Sequence, residues 1–246
     1  MIALFAFILG LVIGSFLNVV IYRVPRGQSI VFPPSHCPGC DTHLKPLDMV
    51  PVFSWLFLKG RCRHCGAGIA NRYPLIELFT ALIFLLLSLN FWGWQLISLF
   101  ALASILITAS VIDFEHGIIP NKLLLAGFII GLVIFLFRPV LPLSQHLLGI
   151  LAGGLPLLFL AALSRGGMGG GDIKLAAVMG LYLGTKLVLT ALFLGSLLAG
   201  FTGIVFMLAG KKGRKDTLVF GPFLALGALV SIFWGREILF WYLSMF

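Results

Sequence analysis

Asp113 and Asp172 stand where carboxylates are expensive. Asp113 closes an apolar run in Ser110-Val111-Ile112-Asp113-Phe114, and Asp172 follows glycines in Gly169-Gly170-Gly171-Asp172-Ile173-Lys174. The whole chain has only eight acidic residues, so each must be accounted for. A carboxylate near membrane depth costs roughly 2.5–3.5 kcal/mol on insertion scales, which makes an intramembrane acid a functional candidate by default. Two carboxylates together can share the work of activating a water and polarising a carbonyl, the chemistry of aspartyl proteolysis. Each residue alone has a plainer reading. Asp113 fits a helix end at the interface, and Asp172 fits an N-cap after a glycine turn.

The elements that must position these acids are membrane spans. The 246 residues are 60% hydrophobic and 10% charged, whereas a soluble domain carries about 25% charged residues. Apolar runs near the spanning length lie at about Ile2–Tyr22, Pro74–Phe91, Trp94–Ile112, Leu123–Phe137, Leu147–Leu163, Leu187–Ala209 and Leu218–Leu243. A shorter run, Ile173–Leu183, follows Asp172. Counting it predicts an all-α polytopic membrane protein of about eight transmembrane helices. The N-terminal run has no basic n-region and is too long for a secretory signal, so it reads as a retained span.

The division expected is a first span over 1–22, a polar loop over 23–72 and a membrane core over 73–246. The net charge of +9 reads as orientation. With 23–72 cytoplasmic, fourteen basic residues fall inside, among them Lys122, Arg165, Lys174, Lys211, Lys212, Arg214 and Lys215. Only Arg138 and Lys186 fall outside, a split that supports this topology and brings Asp113 and Asp172 to one cytoplasmic face. No nucleic-acid-binding motif accompanies the charge. Glycines recur four apart at Gly10/Gly14, Gly127/Gly131, Gly149/Gly153 and Gly180/Gly184, a spacing that lets helices approach closely in lipid.

All four cysteines fall in the polar loop, as Cys37-Pro38-Gly39-Cys40 and Cys62-Arg63-His64-Cys65. Two CxxC pairs at this separation read as a four-cysteine zinc ribbon. Four soft thiolates suit tetrahedral zinc and leave no open position, so such an ion would be structural. Two disulfides or a redox pair are the rivals. A cytoplasmic setting disfavours stable disulfides, and no βαβ pattern surrounds either pair. His36, His43 and His64 read as solvated loop residues.

Other chemistries fail on spacing. The glycine run has no G-x-G-x-x-G register and no Gly-Lys-Ser/Thr ending. His116 lies near Asp113, but no serine sits in a nucleophile elbow. Acidic residues at membrane depth also serve transporters, so a small transporter using the aspartates as an ion or proton site is the rival class. A secretion-system scaffold would leave both acids unexplained.

Gly169-x-Gly171-Asp172 matches the GxGD motif of intramembrane aspartyl proteases. Further stretches in order are Gly14-Ser15-Phe16-Leu17-Asn18-Val19-Val20-Ile21-Tyr22-Arg23, the double CxxC loop, Arg72-Tyr73-Pro74-Leu75-Ile76-Glu77, Asp113-x-x-His116-x-x-Ile119-Pro120-Asn121 and Gly171-Asp172-Ile173-Lys174-Leu175. On this set the chain resembles the bacterial type IV prepilin peptidases, also called leader peptidases. The resemblance implies that Asp113 and Asp172 are the catalytic pair of an inner-membrane enzyme. The implied substrates are type IV prepilins or pseudopilins, cut after a glycine at the cytoplasmic membrane face. It also implies N-methylation of the new N-terminus from S-adenosylmethionine, since members with the cysteine loop are typically bifunctional. Cys37, Cys40, Cys62 and Cys65 are then the zinc ligands. Glu77 is a candidate for methyl transfer, against the plainer reading that a carboxylate near a helix start complements the dipole. Lys174 is read as tuning the carboxylates or as an interfacial anchor, and Arg236 with Glu237 as an ion pair inside the last span.

Overall fold

With no water in the hydrocarbon, apolar runs satisfy their backbone only by coiling on themselves. The computed structural model describes residues 1–164, 168–210 and 219–245. Arg165, Gly166, Gly167, Lys211, Lys212, Arg214, Lys215 and the expected start of the last span at Leu218 lie outside the described residues. The helices are α1 (Ile2–Arg23), α2 (Phe53–Phe57), α3 (Arg72–Asn90), α4 (Gly93–His116), α5 (Asn121–Phe137), α6 (Leu143–Leu163), α7 (Gly170–Leu208) and α8 (Gly221–Leu243). Six of them are long and apolar enough to cross a membrane, and α5 is a shorter apolar helix. α7 is two helices joined at Gly184, whose φ of 73° is the left-handed conformation that glycine adopts without a Cβ penalty. Eight apolar segments result among the described residues, close to the eight transmembrane helices expected, of which six helices reach spanning length. The short run behind Asp172 is the first half of α7.

The chain forms two compact units, Met1–Trp92 and Gly93–Phe246. In the first, α1 lies along α3. A Cβ on Gly10 would come 2.5 Å from Ala81 Cα, and one on Gly14 would come 2.7 Å from Glu77 Cα. This is backbone-to-backbone packing of the kind small residues permit in lipid. The Asn18 amide donates to the Tyr73 carbonyl at 3.0 Å, fixing the register. At the end of α1 the Arg23 guanidinium turns back into the loop and donates to Ser29 O at 3.0 Å and Pro34 O at 3.5 Å.

In the second unit α4 packs against α5 and α8 and touches α7. α6 and the first half of α7 run antiparallel in close contact: Gly149 faces the Gly180 carbonyl, Gly180 faces the Gly149 carbonyl, and Gly153 faces the Ala176 carbonyl. The Tyr182 hydroxyl donates to Gly127 O at 2.7 Å, and the Tyr182 ring fills the space left by Gly131. The second half of α7 runs back along α8, with Gly195 against the Phe223 carbonyl and Ser231 donating to Leu187 O at 2.7 Å. Gly184 therefore turns the chain, beyond any packing role it shares with Gly180. Arg236 and Glu237 are both exposed and form no pair. Adjacent positions of a helix do not face each other.

Candidate active site and metal centre

Three helix ends meet around the two aspartates. Asp113 lies one turn before the end of α4, which stops because Gly117, at φ 67°, donates its N–H to the Asp113 carbonyl at 2.7 Å. Asp172 sits in the first turn of α7. Their side chains are buried, at 6% and 9% exposure, although both are carboxylates. The pair lies within electrostatic range of each other. Asp113 Oδ2 accepts the Gly221 N–H at 2.9 Å, from the first turn of α8. Asp172 takes a hydrogen bond from the Gly169 backbone, while its Oδ1 is buried without a protein partner.

The surroundings hold this geometry tightly. A Cβ on Gly221 would lie 2.7 Å from Asp113 Oδ2, so only glycine brings that amide so close. A Cβ on Gly171 would lie 2.9 Å from Ile119 Cβ, which places the α4–α5 connection over the start of α7. The Lys174 ammonium donates to Asn121 Oδ1 at 2.8 Å and ties the starts of α5 and α7 together. It thus braces the two helix starts.

Glu77 belongs to the first unit. Its carboxylate is 7% exposed, accepts the Val52 N–H at 2.7 Å through Oε2, and bonds the Ser15 side chain. Val52 holds φ at 64°, a strained conformation for a β-branched residue. One glutamate therefore joins α1, α3 and the loop.

The four cysteines converge. The Sγ atoms of Cys37, Cys40, Cys62 and Cys65 all lie within 4.8 Å of one another, and Cys37 Sγ and Cys65 Sγ are 3.8 Å apart. A tetrahedron with zinc–sulfur bonds of about 2.3 Å has edges of about 3.8 Å, so the cluster has the dimensions of a zinc site. Each CxxC lies in the same turn. Cys37 N–H bonds Thr42 O as Cys62 N–H bonds Ala67 O; Asp41 N–H bonds Cys37 O as Gly66 N–H bonds Cys62 O; Leu44 N–H bonds Ser35 O as Ile69 N–H bonds Gly60 O. Asp41 and Gly66, at matching places, both have positive φ.

Thr42, through its side chain and then its backbone, lowers the Cys40 thiol to about 6. The backbone amides of Cys65 and His64 lower Cys62. For Cys65 the Ala67 amide pulls down, but Cys40, burial and the other two sulfurs prevail and push it up to about 11. Crowded thiolates repel one another, and a dication at their centre relieves that repulsion. The donor set thus fits zinc, and the free thiols form no disulfide.

Gly221 and Val52 escape a sequence reading because each acts through its backbone N–H. One signal for Gly221 is available. Phe220-Gly221-Pro222 places a proline in the first turn of an apolar run, which marks a helix start.

The fold and these sites define a polytopic helical membrane protein with a buried aspartate pair and a separate four-cysteine module. Residues 8–91 match the family model for the bacterial peptidase A24 N-terminal domain, and residues 100–204 match the type IV leader peptidase family. The chain is 36% identical over 240 residues to a prepilin leader peptidase/N-methyltransferase of Bacillus subtilis, covering 97% of each chain. Relatives of the same name in Aeromonas salmonicida (34% over 269 residues, 97% of this chain and 92% of the relative) and Pseudomonas aeruginosa (32% over 266 residues, 96% and 92%) are similar along nearly their whole length. No solved structure matches the chain. The chain belongs to the type IV leader peptidase family, and the transporter alternative is not favoured.

Proposed function

We propose that the protein cleaves the N-terminal leader of type IV prepilins or pseudopilins at the cytoplasmic face of the inner membrane, and then N-methylates the new N-terminus. The observation that carries the proteolytic half is the burial of Asp113 and Asp172 together where three helix ends meet. Two close carboxylates cannot both ionise cheaply, so the pair holds one proton between them. The ionised member takes a proton from water, which attacks the scissile carbonyl carbon. The protonated member donates to the carbonyl oxygen. Collapse of the tetrahedral intermediate returns a proton to the departing amine. Gly221 N–H holds Asp113, while Asp172 Oδ1 is buried with no protein hydrogen bond and keeps its acceptor capacity for the reaction.

For the second half, S-adenosylmethionine when bound supplies a methyl group on a cationic sulfur. Glu77, a buried carboxylate held by Ser15 and Val52, offers that charge a complement. Cys37, Cys40, Cys62 and Cys65 would hold one structural zinc and fix the loop beside Glu77. The test uses purified protein in detergent with a prepilin substrate, read by mass. Asp113→Asn and Asp172→Asn are each expected to lower cleavage by at least about 10³-fold, within the range for loss of an acid–base group, while remaining inserted and folded. Substantial turnover by either variant would reject the pair.

A further inference from the structure

The polar loop carries an apolar face that neither the acid pair nor the zinc module uses. In α2, Phe53, Leu56 and Phe57 are 54%, 56% and 83% exposed, and their i, i+3, i+4 spacing puts them on one side of the helix. The other side is anchored: Trp55 Nε1 donates to Ile69 O at 3.1 Å, and its ring fills the space beside Gly60. Earlier in the same loop, Val31 and Phe32 are 83% and 74% exposed. From these we infer that α2 is an interfacial anchor, seated in the lipid headgroup and upper acyl region of the same bilayer that α1 and α3 span.

Depth carries the argument. Val52, the residue before α2, is bonded to Glu77. Glu77 lies five residues into α3, about 7.5 Å along its axis. The same carboxylate bonds Ser15, eight residues before the end of α1, about 12 Å along that helix. The loop therefore dips between the planes set by its own membrane helices. Amphipathic helices settle about 5–10 Å into the headgroup and acyl boundary, a range that includes the distance along α3 and lies just short of that along α1. Val52 holds its positive φ at this bond. Exposed Lys45, Lys59 and Arg61 border the segment, and basic residues around an apolar face favour anionic lipid.

The test places a trifluoromethyl-phenylalanine at position 57 in the full-length protein. The protein is reconstituted in vesicles of equal parts phosphatidylcholine and phosphatidylglycerol, with a second variant labelled at position 53. A lipid bearing a nitroxide high on its acyl chain should erase the fluorine resonance. A water-soluble gadolinium chelate should leave it. The same probe at Asp41, on the first cysteine turn, should behave in the opposite way. Loss to the chelate with survival against the lipid nitroxide would overturn the inference, because the face is then in water. Protection from both reagents would also overturn it, because protein then covers the face. Protection appearing only with prepilin present would assign the face to substrate instead.

Discussion

Asp113 and Asp172 are buried alike but held differently. One receives an amide from the start of a separate helix, and the other is bonded by its own preceding turn. A hydrogen bond to a charged group contributes about 1.5–3 kcal/mol, so Gly221→Ala, which pushes α8 off Asp113, is expected to cut turnover by about ten- to hundredfold. The drop should appear in kcat more than in KM, because the amide touches the proposed catalytic carboxylate and not the substrate. An unchanged kcat in a folded variant would show that Asp113 needs no support from α8. The acids themselves are legible in the sequence because carboxylates are scarce and sit beside long apolar runs. The bond from Gly221 is not, because a backbone N–H has no residue type. Its partner lies more than a hundred residues away, where no local spacing points to it.

At the scale of helices, the glycines do most of the fitting. Gly149 and Gly180 each meet the other's carbonyl, so no side chain fits between α6 and the first half of α7. Gly180→Leu is expected to lower the thermal midpoint in detergent, by an amount matching the roughly 1–3 kcal/mol typical of overpacking. Gly200→Leu, where a Cβ meets nothing within 4 Å, should leave it unchanged. Equal midpoints for the two variants would reject the close crossing. The four-residue glycine spacing is visible in the sequence, but it names no partner. Gly195 and Gly227 illustrate the remainder: they meet across two helices, and neither stands four residues from another glycine.

For the molecule as a whole, the cysteine module and the acid pair lie in different compact units. Their losses should therefore separate. Cys62→Ser is expected to lower zinc from about one ion per chain, the content of a single four-thiolate site, and to reduce methylation more than cleavage. Metal ligands must be deprotonated. The lowered thiols of Cys40 and Cys62 favour binding at neutral pH, and zinc should be lost as acidification returns protons to the four sulfurs. Metal analysis across pH checks the sign; occupancy that rises on acidification would contradict it. Topology gives a further expectation. A cysteine introduced at Lys174, in a cysteine-free background that folds, should react with an impermeant reagent only from the cytoplasmic side. Labelling in intact cells from outside would reverse the orientation. The double CxxC is legible because ligand spacing is short and regular. The tie between Val52 and Glu77 is not, since it joins a strained loop amide to a distant helix.

The turn at Gly184 has a consequence for how the protein is made. The first half of α7, Gly170 to Leu183, is fourteen residues, about 21 Å long, against a hydrocarbon thickness of about 30 Å. Alone it is too short to lodge across the bilayer as synthesis proceeds. It must lodge together with the second half, so Asp172 reaches its depth only once the chain beyond Gly184 has followed it in. Asp113, inserted earlier with α4, still waits for α8 to bring its amide. The aspartate pair and its supporting amide are thus assembled only once α8 has been made, and with this pair as the proposed catalytic centre, a half-synthesised copy cannot cut its neighbours.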